Sequence, residues 1–239
     1  MQDKTKIFNK ALQLQLSGKD REAQKLYLKL VKQNINKDKL FFLLGTSYLQ
    51  TKEYDKAINY LDDSIKLNPN FQDAFNNRGI ALTKKERYQE SIKDYDVAIK
   101  LKKDFFDAYL NKGISLRNVD QKKLAIECFE ICIKLNPKDS KIYNNLGNVY
   151  KDLKIYEKAV ECYTKAIELD ENYAEAYYSR GTLFQHYNHL DLAIEDYEKA
   201  IKLKDDFDFI YGDLMFSKMS ICDWNNYDFL KKKIEEGIT

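Results

Sequence analysis

Asparagine returns to one register of this chain as Asn9, Asn77, Asn111 and Asn145, always at multiples of 34 residues, with Leu43, Ser179 and Asp213 holding the remaining places of that register. An amide side chain carries both donors and an acceptor, so a row of amides at fixed spacing can hold an extended polypeptide by its main chain, with little regard to side-chain identity. Asparagine is also a poor helix former, which makes its return less casual. A chain rich in Lys and Asn would also scatter Asn over any exposed face. The register seven residues further on reads Leu16, Gln50, Lys84, Asn118, Asp152 and His186, with no such uniformity, and this favours a functional ladder. The candidate binding residues are therefore Asn9, Asn77, Asn111, Asn145, Ser179 and Asp213.

Other chemistry-bearing residues are few. Cys128 and Cys132 are i, i+4, a spacing that could offer two thiolates to a metal, but Cys132 shares its register with Leu30, Ala98, Ala166 and Ala200, so buried thiols are the expectation. His186 and His189 lie in a turn without nearby Cys and read as surface. There is no GxSxG, HExxH or Gly-rich phosphate loop, so neither catalysis, a cofactor nor a metal is expected. The 40 Lys+Arg balance 38 Asp+Glu, mixed along the chain, which disfavours nucleic acid as a partner. No run of 18 apolar residues exists to enter a membrane, and the start, Met1 to Lys6, has no signal-peptide core. Four Cys without a CxxC pair suit a reducing cytoplasm.

The elements that must carry the ladder follow from the same period. Gly45, Gly79, Gly113, Gly147 and Gly181 recur every 34 residues, which defines six units between 4 and 207 and an altered seventh from 208 to 239. Numbering each unit from 1 to 34 puts apolar or aromatic residues at 4 and 11 and a small residue at 8, one face of a helix A. Small, aromatic, small and aliphatic residues at 20, 24, 27 and 28 form the stripe of a helix B. With 2 Pro and 8 Gly in 239 residues there is too little turn chemistry for β-structure, and the chain is predicted all-α, with helices near 141–153 and 157–169 repeated throughout. Glycine at 8 is expected to admit a close approach to the small residue at 20. Arg78, Lys112 and Arg180 at position 7 are expected to pack their stems and extend their charges outward.

An aromatic at 4, Leu 7, Gly 8, Tyr 11, Ala 20, aromatic 24, Ala 27 and Pro 32 is a pattern that resembles the tetratricopeptide repeat, most fully through Tyr143, Leu146, Gly147, Tyr150, Ala159, Tyr163 and Ala166. Pro69 and Pro137 stand at position 32, where other units have Ile35, Lys103, Glu171 and Asp205. The resemblance implies an α-solenoid of helix-turn-helix repeats, a right-handed superhelix whose inner groove is lined by helices A and binds protein. Position 6 then falls on the inner wall. The family's clamp for a chaperone's terminal carboxylate needs Lys at position 5, and no unit has one.

The seventh unit departs from the pattern, with Met215 in place of Gly and the only Trp at 224. Cys222, Asp223, Trp224, Tyr227 and Asp228 resemble the close of the repeat arm of O-linked N-acetylglucosamine transferases and SPINDLY-type proteins. That resemblance implies a non-catalytic substrate-recognition arm, with a glycosyltransferase domain further along that is absent from these residues. Trp224 is expected to fill the final helical layer, with Cys222 facing the body, so that this unit closes the arm. The alternative is a stand-alone adaptor that organises a protein complex. Neither reading assigns an oligomeric state or names the bound protein.

Overall fold

The computed structural model describes residues 2–33, 37–204, 207 and 209–238, so Ile35, Asp205 and Asp208 lie outside the described residues. The chain divides into two compact units, 1–131 and 132–239, and the boundary falls within a helix. In the first unit the helices run α1 (Gln2–Leu16), α2 (Asp20–Val31), α3 (Lys37–Gln50), α4 (Tyr54–Leu67), α5 (Gln72–Lys84), α6 (Tyr88–Leu101) and α7 (Phe106–Asn118), then α8 (Lys122–Leu135), which contains the boundary. The second unit continues with α9 (Ser140–Asp152), α10 (Tyr156–Leu169), α11 (Ala174–His186), α12 (Leu190–Leu203), α13 (Ile210–Ser220) and α14 (Tyr227–Ile238). There is no strand among the described residues, and successive helices pack on one another from α1 to α7 and from α9 to α14, so both units are stacks of the expected hairpins and the fold is an all-α solenoid. In each unit successive helices A also touch (α3–α5 and α5–α7; α9–α11 and α11–α13), while successive helices B stand further apart. The face formed by helices A is thus the concave side of each unit.

The sharp turn from A to B has one cause in every hairpin. Position 15 is left-handed: Gly18 at φ 75°, and Lys52, Glu86, Asp120, Lys154, Asn188 and Cys222 at φ 58–62°. The next N–H then reaches back to the carbonyl of position 11, for example Ile155 to Tyr150 at 2.9 Å and His189 to Phe184 at 2.8 Å, which closes the end of helix A. A side chain in that conformation costs roughly 1–2 kcal/mol, and glycine avoids the cost. Lys154→Gly is therefore expected to stabilise the chain by about 1 kcal/mol, read as a raised midpoint in urea; an unchanged or lowered midpoint contradicts the account. From the second unit to the sixth, helix B ends at position 30 whether or not Pro follows at 32, since Leu67 and Leu135 end their helices as Leu101, Leu169 and Leu203 do. The backbone of Lys102, Asp170 and Lys204 turns extended without help from proline.

The recurring glycine faces a different partner from the expected one. A Cβ built on Gly79 would stand 2.6 Å from Cε1 of Tyr95, one on Gly113 2.7 Å from Cε1 of Phe129, and one on Gly147 2.6 Å from Cε1 of Tyr163. These rings are at position 24, not 20, and they are fully buried. A ring this large, laid across helix A, needs the space that a Cβ would take. The small residues at position 20, such as Ala57, Ser91 and Ala159, are themselves completely buried between the two helices.

The cations at position 7 do not extend outward. Arg78 donates from Nε and Nη2 to the carboxylate of Asp94 at 2.7 and 2.6 Å and pairs with Asp62 on the preceding helix B. Arg180 repeats the fork on Asp196 at 2.8 Å for both bonds and donates to Thr164. Lys112 pairs with Asp96 at 2.6 Å. In each case the partners lie 16 residues before or after the cation, on the two helices B that flank it. At Arg78 and Arg180 a buried carboxylate, Asp94 or Asp196, draws the charge inward because leaving it unpaired is costly, whereas the Asp96 that meets Lys112 is exposed.

The seventh unit does not bury the residues that were expected to close it. Trp224 is 58% exposed, resting edge-on against Tyr227, and Cys222 is exposed at the left-handed turn position. Helix α14 starts late: the bond from Leu230 N to Asn226 O repeats the one from Ala193 N to His189 O in the preceding hairpin, with three residues inserted before it. Trp224 falls in that insertion and so never reaches the layer it was expected to fill. Phe216 and Met219 occupy registers that meet the following helix A in earlier hairpins, and they stay exposed at 61% and 41%. Ile210, Leu214 and Leu230 supply the buried packing of this end.

Candidate functional site

The ladder register lies on the concave face of both units, but its members are not equivalent. In the first unit Asn9 is exposed, while Asn77 and Asn111 are half-buried and bonded from helix to helix. Asn77 Nδ2 donates to Thr46 Oγ1 on α3 at 3.0 Å, Asn76 Nδ2 donates to Asn77 Oδ1, and Asn111 Nδ2 on α7 donates to Asn76 Oδ1 at 3.4 Å. Asn76, at position 5, is buried and was not among the expected site residues. Its signal in the sequence is the doublet Asn76-Asn77, repeated as Asn144-Asn145. The amides of this unit therefore form a cross-helix network. Asn77 spends one donor and one lone pair inside it, and its second donor and second lone pair lie outside the network.

In the second unit the pattern loosens. Asn145 donates to the carbonyl of Lys141 in its own helix at 2.9 Å. Ser179 is half-buried and at this register contributes only a hydroxyl. Asp213 accepts from the Tyr178 hydroxyl at 3.2 Å, and burial pushes its carboxyl above the ordinary value against the lowering effect of that bond. One polar atom is left over: Asn144 Oδ1 is buried without a hydrogen-bond partner. Two periods earlier its counterpart Asn76 Oδ1 accepts from Asn111, and the counterpart of Asn111 is Ser179, a shorter side chain. Ser179→Asn is expected to restore that bond and stabilise the unit by about 1 kcal/mol, since a satisfied buried acceptor replaces an orphaned one. A thermal scan that shows no gain sinks this assignment.

Cys128 is buried beside Lys112, and burial pushes its thiol up to about 11, far from a thiolate ligand. Among the described residues no group of three or more His, Cys, Asp or Glu is placed to hold a metal, and no helix is long and apolar enough to cross a membrane.

Family models described as tetratricopeptide repeat match residues 42–104, 106–139, 140–173 and 174–207, well over half of the chain. None of these matches reaches the segment that resembles the transferase arm. No curated protein matches the sequence. Among solved structures, MamA (residues 41 to the end) from Desulfovibrio magneticus RS-1 is 26% identical over 72% of this chain and 98% of its own, with a TM-score of 0.64. PilF from Pseudomonas aeruginosa is 16% identical over 84% of this chain and 91% of its own, with a TM-score of 0.74. YrrB, described as a TPR protein with an unusual peptide-binding site, is 20% identical over 78% of this chain and 96% of its own, with a TM-score of 0.59. The last two share the fold. With 34-residue hairpins through six units, glycine under a buried ring in four of them, and family models matching most of its length, the chain belongs to the tetratricopeptide repeat family.

Proposed function

We propose that this chain is a non-catalytic adaptor that holds an extended polypeptide against the helix A face of its units and so organises a protein complex. The observation that carries this reading is the cross-helix amide network through Thr46, Asn77, Asn76 and Asn111. It fixes the position 6 amides in place while leaving donors and acceptors half-exposed on the concave side. Pre-positioned amides avoid much of the ordering cost that flexible side chains incur on binding. Alternating donors and acceptors suit a main chain rather than a particular side chain. YrrB, of the same fold, is described as binding peptide, which agrees with this use of the scaffold.

Recognition of substrate for an O-linked N-acetylglucosamine transferase is the weaker reading. It rests on Cys222, Asp223, Trp224, Tyr227 and Asp228, and Trp224 does not occupy the closing position that the resemblance implies.

The test uses short peptides selected from a random library on the immobilised chain, followed by titration of the best binder. Asn145→Ala is the informative variant, because Asn145 bonds only within its own helix here, whereas alanine at Asn77 or Asn111 also removes a structural bond. Asn145→Ala is expected to weaken binding about fivefold, the worth of one net hydrogen bond of about 1 kcal/mol, with the melting temperature unchanged. N-methylation of the peptide main chain should weaken it further, while scrambling its side chains should matter less. Binding that tolerates both Asn145→Ala and N-methylation defeats the ladder.

A further inference from the structure

Between α9 and α11, on the concave face of the second unit, lies a pocket of about 380 Å³ whose floor is the buried side chain of Leu183. Its size is at the lower end of small-molecule sites, about 300–1,000 Å³, which leaves room for one large side chain rather than a cofactor. The walls are aromatic. The ring of Tyr156, the first residue of α10, stands 5.0 Å from the imidazole of His186 at 54°, and Tyr187 meets Tyr156 edge-on at 5.7 Å and 87°. The polar groups are Ser179, Thr182 and Lys151. Thr182 Oγ1 donates its proton to the carbonyl of Ser179 at 2.8 Å, so toward the pocket it presents lone pairs. No carboxylate lines the space, and Tyr178, which borders it, has its hydroxyl committed to Asp213.

We propose that this pocket is a side-chain subsite for one aromatic residue of the bound polypeptide, tyrosine fitting best. This deepens the adaptor reading above and rests on it for the rest of the peptide's path. A ring laid beside the Tyr156–His186 pair extends the tilted aromatic packing already present, in which a positive edge meets a negative face. A phenol adds a donor that the Thr182 hydroxyl can accept, and phenylalanine lacks it. An acidic side chain would leave the aromatic walls unused. The subsite also gives side-chain selectivity to a groove whose amide ladder reads main chain. Selectivity is therefore placed at Ser179, Thr182 and His186, positions 6, 9 and 13 of the unit in which the ladder lapses from Asn to Ser.

The experiment has two parts. In the first, N-acetyl-tyrosinamide, N-acetyl-aspartamide and N-acetyl-alaninamide are titrated into the isotope-labelled full chain, followed by amide resonances. The tyrosine probe is expected to shift Ser179, Thr182 and His186 in a saturable way, and the alanine probe to leave them unmoved. Stronger shifts with the aspartate probe, or none with any probe, overturn the proposal. In the second part a library-selected peptide carrying Tyr is compared with its Tyr→Ala twin. The tyrosine form should bind about tenfold tighter, as burial of one aromatic side chain warrants. The ratio should fall to about twofold in His186→Ala, an exposed position whose truncation spares the fold, and by a smaller factor in Thr182→Val. If both peptides bind equally and Asn145→Ala weakens both, the subsite is wrong and the adaptor stands. If the tyrosine probe shifts the three residues but no peptide binds, the pocket stands and the adaptor reading falls.

Discussion

Replacing Asp94 with Ala will lower the unfolding free energy by about 3–5 kcal/mol, read from urea denaturation followed by helical circular dichroism. The reason is the state in which it leaves Arg78. The Asp94 side chain is only 7% exposed and takes two guanidinium bonds, and burial pushes its carboxyl above the ordinary value against the lowering effect of Arg78. Removing the carboxylate strands a permanently charged group with only the more exposed Asp62 as partner, and an uncompensated buried charge is among the costliest single changes. Removing both charges tells a different story. The fifth repeat manages the same place with Leu146 and Cys162, so Arg78→Leu combined with Asp94→Cys should cost about 1 kcal/mol or less. A loss below about 1 kcal/mol for Asp94→Ala, or equal losses for the single and double variants, would show that the fork contributes little.

Gly79→Ala is the second large effect. A methyl in a helix ordinarily gains about 1 kcal/mol over glycine, yet here it would sit 2.6 Å from Cε1 and 2.9 Å from Cζ of Tyr95, a ring that is wholly buried and tied to Thr83. The ring cannot withdraw without opening the hairpin, and overpacking of this kind costs about 1–3 kcal/mol, so a net loss is expected. Gly212→Ala provides the opposite sign from the same chemistry. Gly212 lies in α13 with nothing within 4 Å of the added Cβ, so the helical gain of about 1 kcal/mol should appear undiminished. Stabilisation by Gly79→Ala would refute the account of why glycine recurs.

The proposed site was legible in part. The register of Asn77, Asn111 and Asn145 was open to view, because a period of 34 and a helical repeat place those residues on one face whatever their neighbours do. Their bonding was not. Whether Asn77 points to solvent or to Thr46 depends on how closely α3 and α5 approach, which no single-residue property records. The pocket between α9 and α11 was equally hidden. His186 and Tyr156 are 30 residues apart, and their rings meet only because the start of one helix B lies beside the end of the following helix A.

What the sequence by itself determined is the repeat, the helices, their hairpin pairing and the face that carries the amides. These depend on local propensity and on a hydrophobic period, properties of each segment on its own. The tertiary structure alone decided what each recurring residue is for. It set glycine against the ring at position 24, drew Arg78 and Arg180 inward onto carboxylates 16 residues away, and left Trp224 exposed because three extra residues precede α14. Those outcomes are distances between helices, fixed to within an ångström by close packing, and a pattern of residue types leaves such distances open.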